Sequence, residues 1–96
     1  MATVEFRIKN GKKTEVYTSV EITTRHYRDY LVLNAELEKS DSEVEKLDKQ
    51  LEFIASLFKD VTTDMLLEQT DMSKIYEIFT ELYINLVGSV DPKPSN

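Results

Sequence analysis

The residues best suited to acid–base or nucleophilic chemistry are few in this sequence. His26 is the only histidine, and the 96-residue chain contains no cysteine. A serine nucleophile needs a neighbouring base, and His26 is the one imidazole that could serve it. A structural zinc site would depend on carboxylate ligands, which such sites rarely use. We therefore expect His26 to lie on the solvated surface, in the first turn of a helix between Arg25 and Tyr27.

Alternating acids at positions 41, 43 and 45 suggest a calcium site, because carboxylates are the ligands of that ion. The calcium-binding loop also requires a glycine at its sharp turn and a distant bidentate glutamate. The sequence has only Gly11 and Gly88, so neither this loop nor a glycine-rich phosphate loop is available. We assign Asp41, Glu43 and Glu45 to a helix N-terminus, where the helix dipole stabilises negative charge.

Two further acids, Glu77 and Glu81, stand one helical turn apart. Acid catalysis needs one member of such a pair in an environment that holds its proton, and the sequence around these two is that of a solvated helix face. From these candidate catalytic and metal-binding residues we therefore predict that the protein is not an enzyme and has no catalytic residue, no metal and no cofactor.

The charge of the chain is negative and unevenly distributed. Eighteen acids against twelve Lys and Arg give a net charge of −6. Residues 1–30 carry a net charge of +2, and the rest of the chain carries −8. An acidic body opposes binding to phosphates, so we expect no nucleic-acid partner. Residues 1–9 lack the apolar run of a signal peptide, and no stretch approaches ~18 apolar residues, so we expect no membrane association and a cytosolic location.

The elements that must position the remaining side chains begin with a hairpin. Val4, Phe6 and Ile8 alternate with charged residues, which is the period of a half-buried strand. Asn10-Gly11 suits a tight hairpin turn, and a second alternation over residues 15–20, with Val16, Thr18 and Val20 on one side, predicts the returning strand. A free outer edge of this hairpin would offer another chain a place to add.

From Thr24 onwards the apolar period changes to that of helices. Thr23 or Thr24, Ser42 with Glu45, and Thr62 are typical helix starts, and Gly88 is placed to end the last helix. The fold class we predict is α+β and helix-dominated, with an N-terminal β-hairpin packed on a small bundle of about four helices. Residues 1–88 form a single domain in this prediction, and residues 89–96 a disordered C-terminal tail.

The surface offers more apolar side chains than so small a core can bury. Five tyrosines, four phenylalanines and three methionines are present, and tyrosine and methionine are enriched at interfaces. Phe58, Ile75, Phe79 and Leu82 are assigned to the core. The residues left open between core and interface, which we predict as the partner-binding set, are Tyr27, Tyr30, Met65, Leu66, Met72, Tyr76 and Tyr83.

An order of features from about Leu47 to Gly88 resembles the tail assembly chaperones of long-tailed bacteriophages, the siphophages. It comprises residues 47–48, the run from Leu51 to Phe58, a short segment opened by residues 61–64, and a helix from Ile75 that ends in residues 86–88. The N-terminal strand pattern before an acidic helical body is similar too. This chain has Gln69-Thr70 where family members often carry an Asp-Gly turn.

The resemblance implies a role in virion assembly. Such proteins coat the long helical tape measure protein in the host bacterial cytoplasm, keep it soluble, help recruit tail tube protein, and are absent from the mature virion. A longer form is often made by frameshifting, which here would fall near residues 89–96. Self-association into a homo-oligomer along the client is a further expectation. Two alternatives stay open from the residues themselves: a small acidic adaptor or regulatory module that binds proteins, and a structural tail or head connector subunit.

Overall fold

The computed structural model describes residues 3–87, which form two strands followed by four helices. The strands are β1 (Glu5–Asn10) and β2 (Lys13–Thr18), and the helices are α1 (Thr24–Lys39), α2 (Glu43–Ser56), α3 (Thr63–Gln69) and α4 (Met72–Leu86). This confirms the predicted α+β, helix-dominated class. The predicted tail over residues 89–96 and the helix cap at position 88 lie outside the described residues.

The hairpin forms as predicted, but its turn falls on Gly11 and Lys12, one residue later than the predicted Asn10-Gly11 pair, because Asn10 still pairs with Lys13. Gly11 has a φ of 69°, a backbone conformation that glycine adopts without steric cost. The strands are antiparallel, and Phe6 stands opposite Tyr17. The two rings stack with their centroids 5.5 Å apart. Phe6 also meets Phe58 of the helical layer edge-on at 4.9 Å, so the hairpin packs on the helices through this aromatic cluster.

The apolar alternation in the second strand did not indicate its buried face. Val16 is 50% exposed and Val20 is 40% exposed. The pairing of Phe6 with Tyr17 places Tyr17 on the inner face, so Val16, its neighbour in the strand, points outwards. The strand ends at Thr18, and the Val20 N–H then donates to the Leu57 carbonyl at 2.8 Å.

Side-chain caps start α2 and α3 at the predicted residues: the Ser42 hydroxyl accepts from the Glu45 N–H and the Thr62 hydroxyl from the Met65 N–H, both at 3.2 Å. The cap of α4 was not predicted: the Asp71 carboxylate accepts from the Lys74 N–H at 2.9 Å. The predicted reciprocal box at Ser42 is only half formed, because the Glu45 carboxylate accepts from the Ser40 hydroxyl at 3.0 Å.

His26 has a structural role that the sequence analysis missed. Its Nδ1 accepts a hydrogen bond from the Thr23 backbone N–H at 2.9 Å and lies 3.2 Å from the Thr23 hydroxyl oxygen. This is the position that glutamate or glutamine takes in a capping box. The side chain is half-buried rather than fully solvated, and it holds the start of α1.

The core lies between the inner face of the hairpin and α2, α3 and α4. It draws Val4, Phe6 and Ile8 from the N-terminal strand, and Leu82 of α4 is completely buried. Its other members are Leu51, Ile54, Leu57, Phe58, Val61, Leu66, Ile75, Ile78 and Leu86. In residues 3–87, no helix is both long enough and apolar enough to cross a membrane.

Candidate functional site

Helix α4 carries two neighbouring apolar stripes, although packing on the core requires only one. The first stripe consists of Ile75, Ile78, Leu82 and Leu86, all buried. The second consists of Met72, Tyr76 and Tyr83, which are 42%, 65% and 52% exposed. At about 100° per residue, these three side chains fall within roughly 40° of one another around the helix. The second stripe is therefore an exposed apolar face beside the buried one.

Helix α1 supplies the opposite wall of a groove along this stripe. The Tyr30 ring lies 6.2 Å from that of Tyr83 on α4 and 6.0 Å from that of Phe53 on α2, measured between centroids. Towards the other end of the groove, Leu37 lines the same cavity as Met72. The pairing of the end of α1 with the start of α4 shows that these helices run antiparallel.

We call this cleft the tyrosine groove. Its cavity has a volume of about 230 Å³ and is lined by Tyr30, Leu33, Asn34, Leu37, Gln50, Met72, Ile75, Tyr76 and Phe79, and the Tyr30–Tyr83 contact extends it along α4. Charged residues make up 31% of the chain, yet none is among these lining residues. The polar groups on offer are the tyrosine hydroxyls and the amides of Asn34 and Gln50. Such a lining can bind the apolar face of a partner protein, and it contains no pair of residues suited to acid–base catalysis.

A second depression adjoins the groove between α3 and α4. It has a volume of about 220 Å³ and is lined by Leu47, Leu51, Leu66, Leu67, Thr70, Asp71, Met72 and Ile75. Met72 and Ile75 belong to both cavities, so the two are continuous across the start of α4. Leu67, at its rim, is 49% exposed.

The structure brings most of the predicted partner-binding residues to one side of the molecule. Tyr30, Met72, Tyr76 and Tyr83 lie along the groove. Tyr27, one turn before Tyr30, is half-buried and lines a shallow cavity with the last turn of α4.

The two predicted residues from α3 lie elsewhere. Met65 is half-buried against the core. Leu66 is 1% exposed, so its side chain belongs to the core and only forms part of the floor of the second depression. Sequence reasoning missed Leu67, Leu37 and Asn34. In a seven-residue helix such as α3, the apolar run from Met65 to Leu67 carries no period that distinguishes the exposed leucine from the buried one.

The acids that the sequence analysis considered for calcium stand at the start of α2. Glu43 and Glu45 occupy its first turn. Within residues 3–87, no group of three or more His, Cys, Asp or Glu side chains is arranged to hold a metal ion.

Residues 1–96 match the family model described as "Phage tail chaperone protein". No curated protein and no solved structure matches this chain.

Proposed function

The chain belongs to the phage tail chaperone family, and from that premise we propose that it binds the tape measure protein through the tyrosine groove. Bound there, the tape measure protein stays soluble and the tail tube protein is recruited around it. In this proposal the protein acts in the host bacterial cytoplasm and leaves before the siphophage virion is complete. The observation that carries the proposal is the uncharged, exposed stripe of Met72, Tyr76 and Tyr83 facing Tyr30.

The groove has the dimensions of a helix-binding site. From Met72 to Tyr83, α4 rises about 16 Å at 1.5 Å per residue, which matches about three turns of a bound helix. A helix laid in such a groove contacts it through apolar residues spaced three, four and seven apart. A long helical client presents that spacing many times, and repeated weak sites give strong overall attachment through avidity.

The test is co-expression with the tape measure protein of the same phage genome. The variant is the double substitution Tyr76→Glu and Tyr83→Glu, which places two charges in the groove at side chains that are already exposed. We expect the wild-type chain to co-purify with a soluble tape measure protein. The amount of client that co-purifies with the variant should fall by about tenfold or more, because an unpaired carboxylate must be desolvated in the complex.

Val44→Glu is the matched control. Val44 is 71% exposed, lies in the first turn of α2 and does not line the groove. It makes the same exchange of an apolar side chain for a carboxylate, at a helix start where negative charge is favourable. This control should retain the client, and circular dichroism should show all three proteins equally folded. Retention of the client by the double variant, or an insoluble client with the wild-type chain, would contradict the proposal.

A further inference from the structure

The two strands of the hairpin differ in the outward-facing side chains that would keep each of them from pairing with another chain. On β1, the outward-facing positions are all charged: Glu5, Arg7 and Lys9. Opposite them on β2 stand Thr14, Val16 and Thr18, which are all uncharged and exposed. Charged side chains, prolines and bulges are the usual means by which an edge strand avoids pairing with another chain. The charged residues of β2, Lys13 and Glu15, belong to the inner-facing series, so its outward-facing positions carry neither charge nor proline, and its register with β1 has no bulge.

The free backbone groups of β2 lie at the same three positions. The Ser19 N–H donates to the Val4 carbonyl, so this pair is a hydrogen-bonded one. Hydrogen-bonded and non-hydrogen-bonded pairs alternate along an antiparallel ladder, so Thr14, Val16 and Thr18 direct their N–H and C=O groups away from β1. Among residues 3–87, no backbone hydrogen bond from outside the hairpin reaches them. The next outward N–H along the chain, that of Val20, donates to the Leu57 carbonyl, so the free edge ends at Thr18.

We propose that β2 pairs antiparallel with β2 of a second copy of this chain, about a two-fold axis at Val16. The two hairpins then form one continuous four-stranded sheet. Val16 stands opposite the partner's Val16, and Thr14 stands opposite the partner's Thr18. Because these are the positions with outward backbone groups, each of these pairs exchanges both of its N–H···O=C bonds.

The side chains of this register are self-complementary. Two valines cover each other on the outer face, and threonine meets threonine on either side, both favourable cross-strand pairs. On the inner face, Glu15 stands opposite the partner's Tyr17. Within one chain, the Tyr17 hydroxyl already donates to the Glu15 carboxylate at 2.6 Å, and this bond raises the pKa of Tyr17 above its ordinary value. Across the axis the partner's Glu15 carboxylate offers this hydroxyl an alternative acceptor for its single proton, and no two like charges stand directly opposite each other.

The paired sheet leaves the tyrosine groove open. The strand β1 lies beside Lys74, Ile78 and Glu81 of α4. These positions are roughly half a turn around the helix from Tyr76 and Tyr83. A dimer joined through β2 therefore presents two grooves on its outer sides. The pairing rests on the hairpin alone and does not depend on the proposed client.

Cysteine cross-linking tests the register directly, because the chain has no cysteine of its own. We expect the Val16→Cys variant to form a covalent dimer on mild oxidation. Thr14→Cys and Thr18→Cys should each form no covalent dimer alone, since identical residues away from the axis are about 14 Å apart, beyond disulfide reach. An equimolar mixture of the two should cross-link. No dimer from Val16→Cys, or self-linking of Thr14→Cys as efficient as that of Val16→Cys, would overturn the proposal.

Sedimentation equilibrium provides a second readout without cysteines. The wild-type chain of 11.2 kDa should double in mass as its concentration rises. Val16→Lys sets two like charges against each other and should weaken the dimer by about tenfold or more. Val16→Thr retains a β-branched, uncharged residue at the same position and should still dimerise. A wild-type chain that stays monomeric, or a Val16→Lys variant that dimerises as well as wild type, would refute the pairing.

Discussion

At the scale of single residues, exposure separates the side chains that stabilise the fold from those available to a partner. Leu82 and Tyr83 are adjacent on α4, yet Leu82 is 0% exposed and Tyr83 is 52% exposed. The burial of Leu82 stabilises the folded chain, whereas much of the apolar surface of Tyr83 remains in contact with water. Covering that surface is favourable only when another molecule arrives.

His26 gives a prediction at this scale. Replacing His26 with alanine removes the acceptor for the Thr23 N–H and should lower the free energy of unfolding by about 1 kcal/mol. His26→Gln supplies an acceptor of similar reach and should recover most of that loss. Urea denaturation followed by circular dichroism measures both. Equal stability of the alanine and glutamine variants would show that the hydrogen bond contributes nothing.

Single residues were also where prediction from sequence was weakest. The apolar run Met65-Leu66-Leu67 indicated that α3 has apolar side chains but not which leucine faces the core. Val16 belonged to an alternating pattern, but the buried face of β2 is set by the pairing of Tyr17 with Phe6. Both outcomes depend on contacts between distant parts of the chain, which local periodicity does not encode.

At the scale of elements, the width of the apolar surface on α4 is the informative feature. The buried stripe and the exposed stripe together cover about half of the helix circumference. An ordinary surface helix buries a narrower stripe and is polar elsewhere. The excess on α4 falls on the side facing α1, and this places the tyrosine groove between those two helices.

The contrast between buried and exposed apolar residues on α4 predicts unequal effects on stability. Leu82→Ala should destabilise the fold by about 3 kcal/mol, because it leaves a cavity at a fully buried site. Ile84→Ala, two residues away on the same helix at 41% exposure, should cost less than about 1 kcal/mol. Urea unfolding of the two variants makes the comparison. Similar losses would mean that the exposed side of α4 also supports the fold.

Prediction from sequence succeeded best at this scale. Strong local signals fixed the hairpin and all four helices: the Asn10-Gly11 pair at the turn, the cap at Ser42, and the three-to-four spacing from Ile75 to Leu86. The groove itself was harder to predict, because its walls come from α1 and α4, which are more than thirty residues apart in the chain. Tyr30 and Tyr83 were predicted separately as interface residues, and only the packing shows that they face each other.

At the scale of the whole molecule, the groove and strand β1 of the hairpin lie on different sides of α4. The resemblance seen over residues 47–88 is confirmed by a family match across residues 1–96. In our proposals the groove holds a client and the free edge of β2 a second copy, so the molecule would cover a long partner in pairs. The role that we propose in tail assembly is a temporary one.

The composition of finished particles tests that temporary role. We expect quantitative mass spectrometry of purified virions to find the tape measure and tail tube proteins and no stoichiometric amount of this chain. Lysates of infected cells taken before tail completion should contain it together with the tape measure protein. A fixed, stoichiometric copy number in finished particles would instead support the structural connector subunit considered from the sequence.

The uncharged lining of the tyrosine groove has a consequence for how a held client is let go. Salt weakens contacts between charges, and a change of pH acts on groups that titrate near neutrality. The residues that line the groove include no acid, no lysine or arginine and no histidine, so neither salt nor a shift of pH near neutrality acts on them directly. Under the proposed function, release therefore comes by competition: the client departs when another surface covers its apolar side chains better. In that proposal the growing tail tube is such a surface, and handover and assembly become a single step.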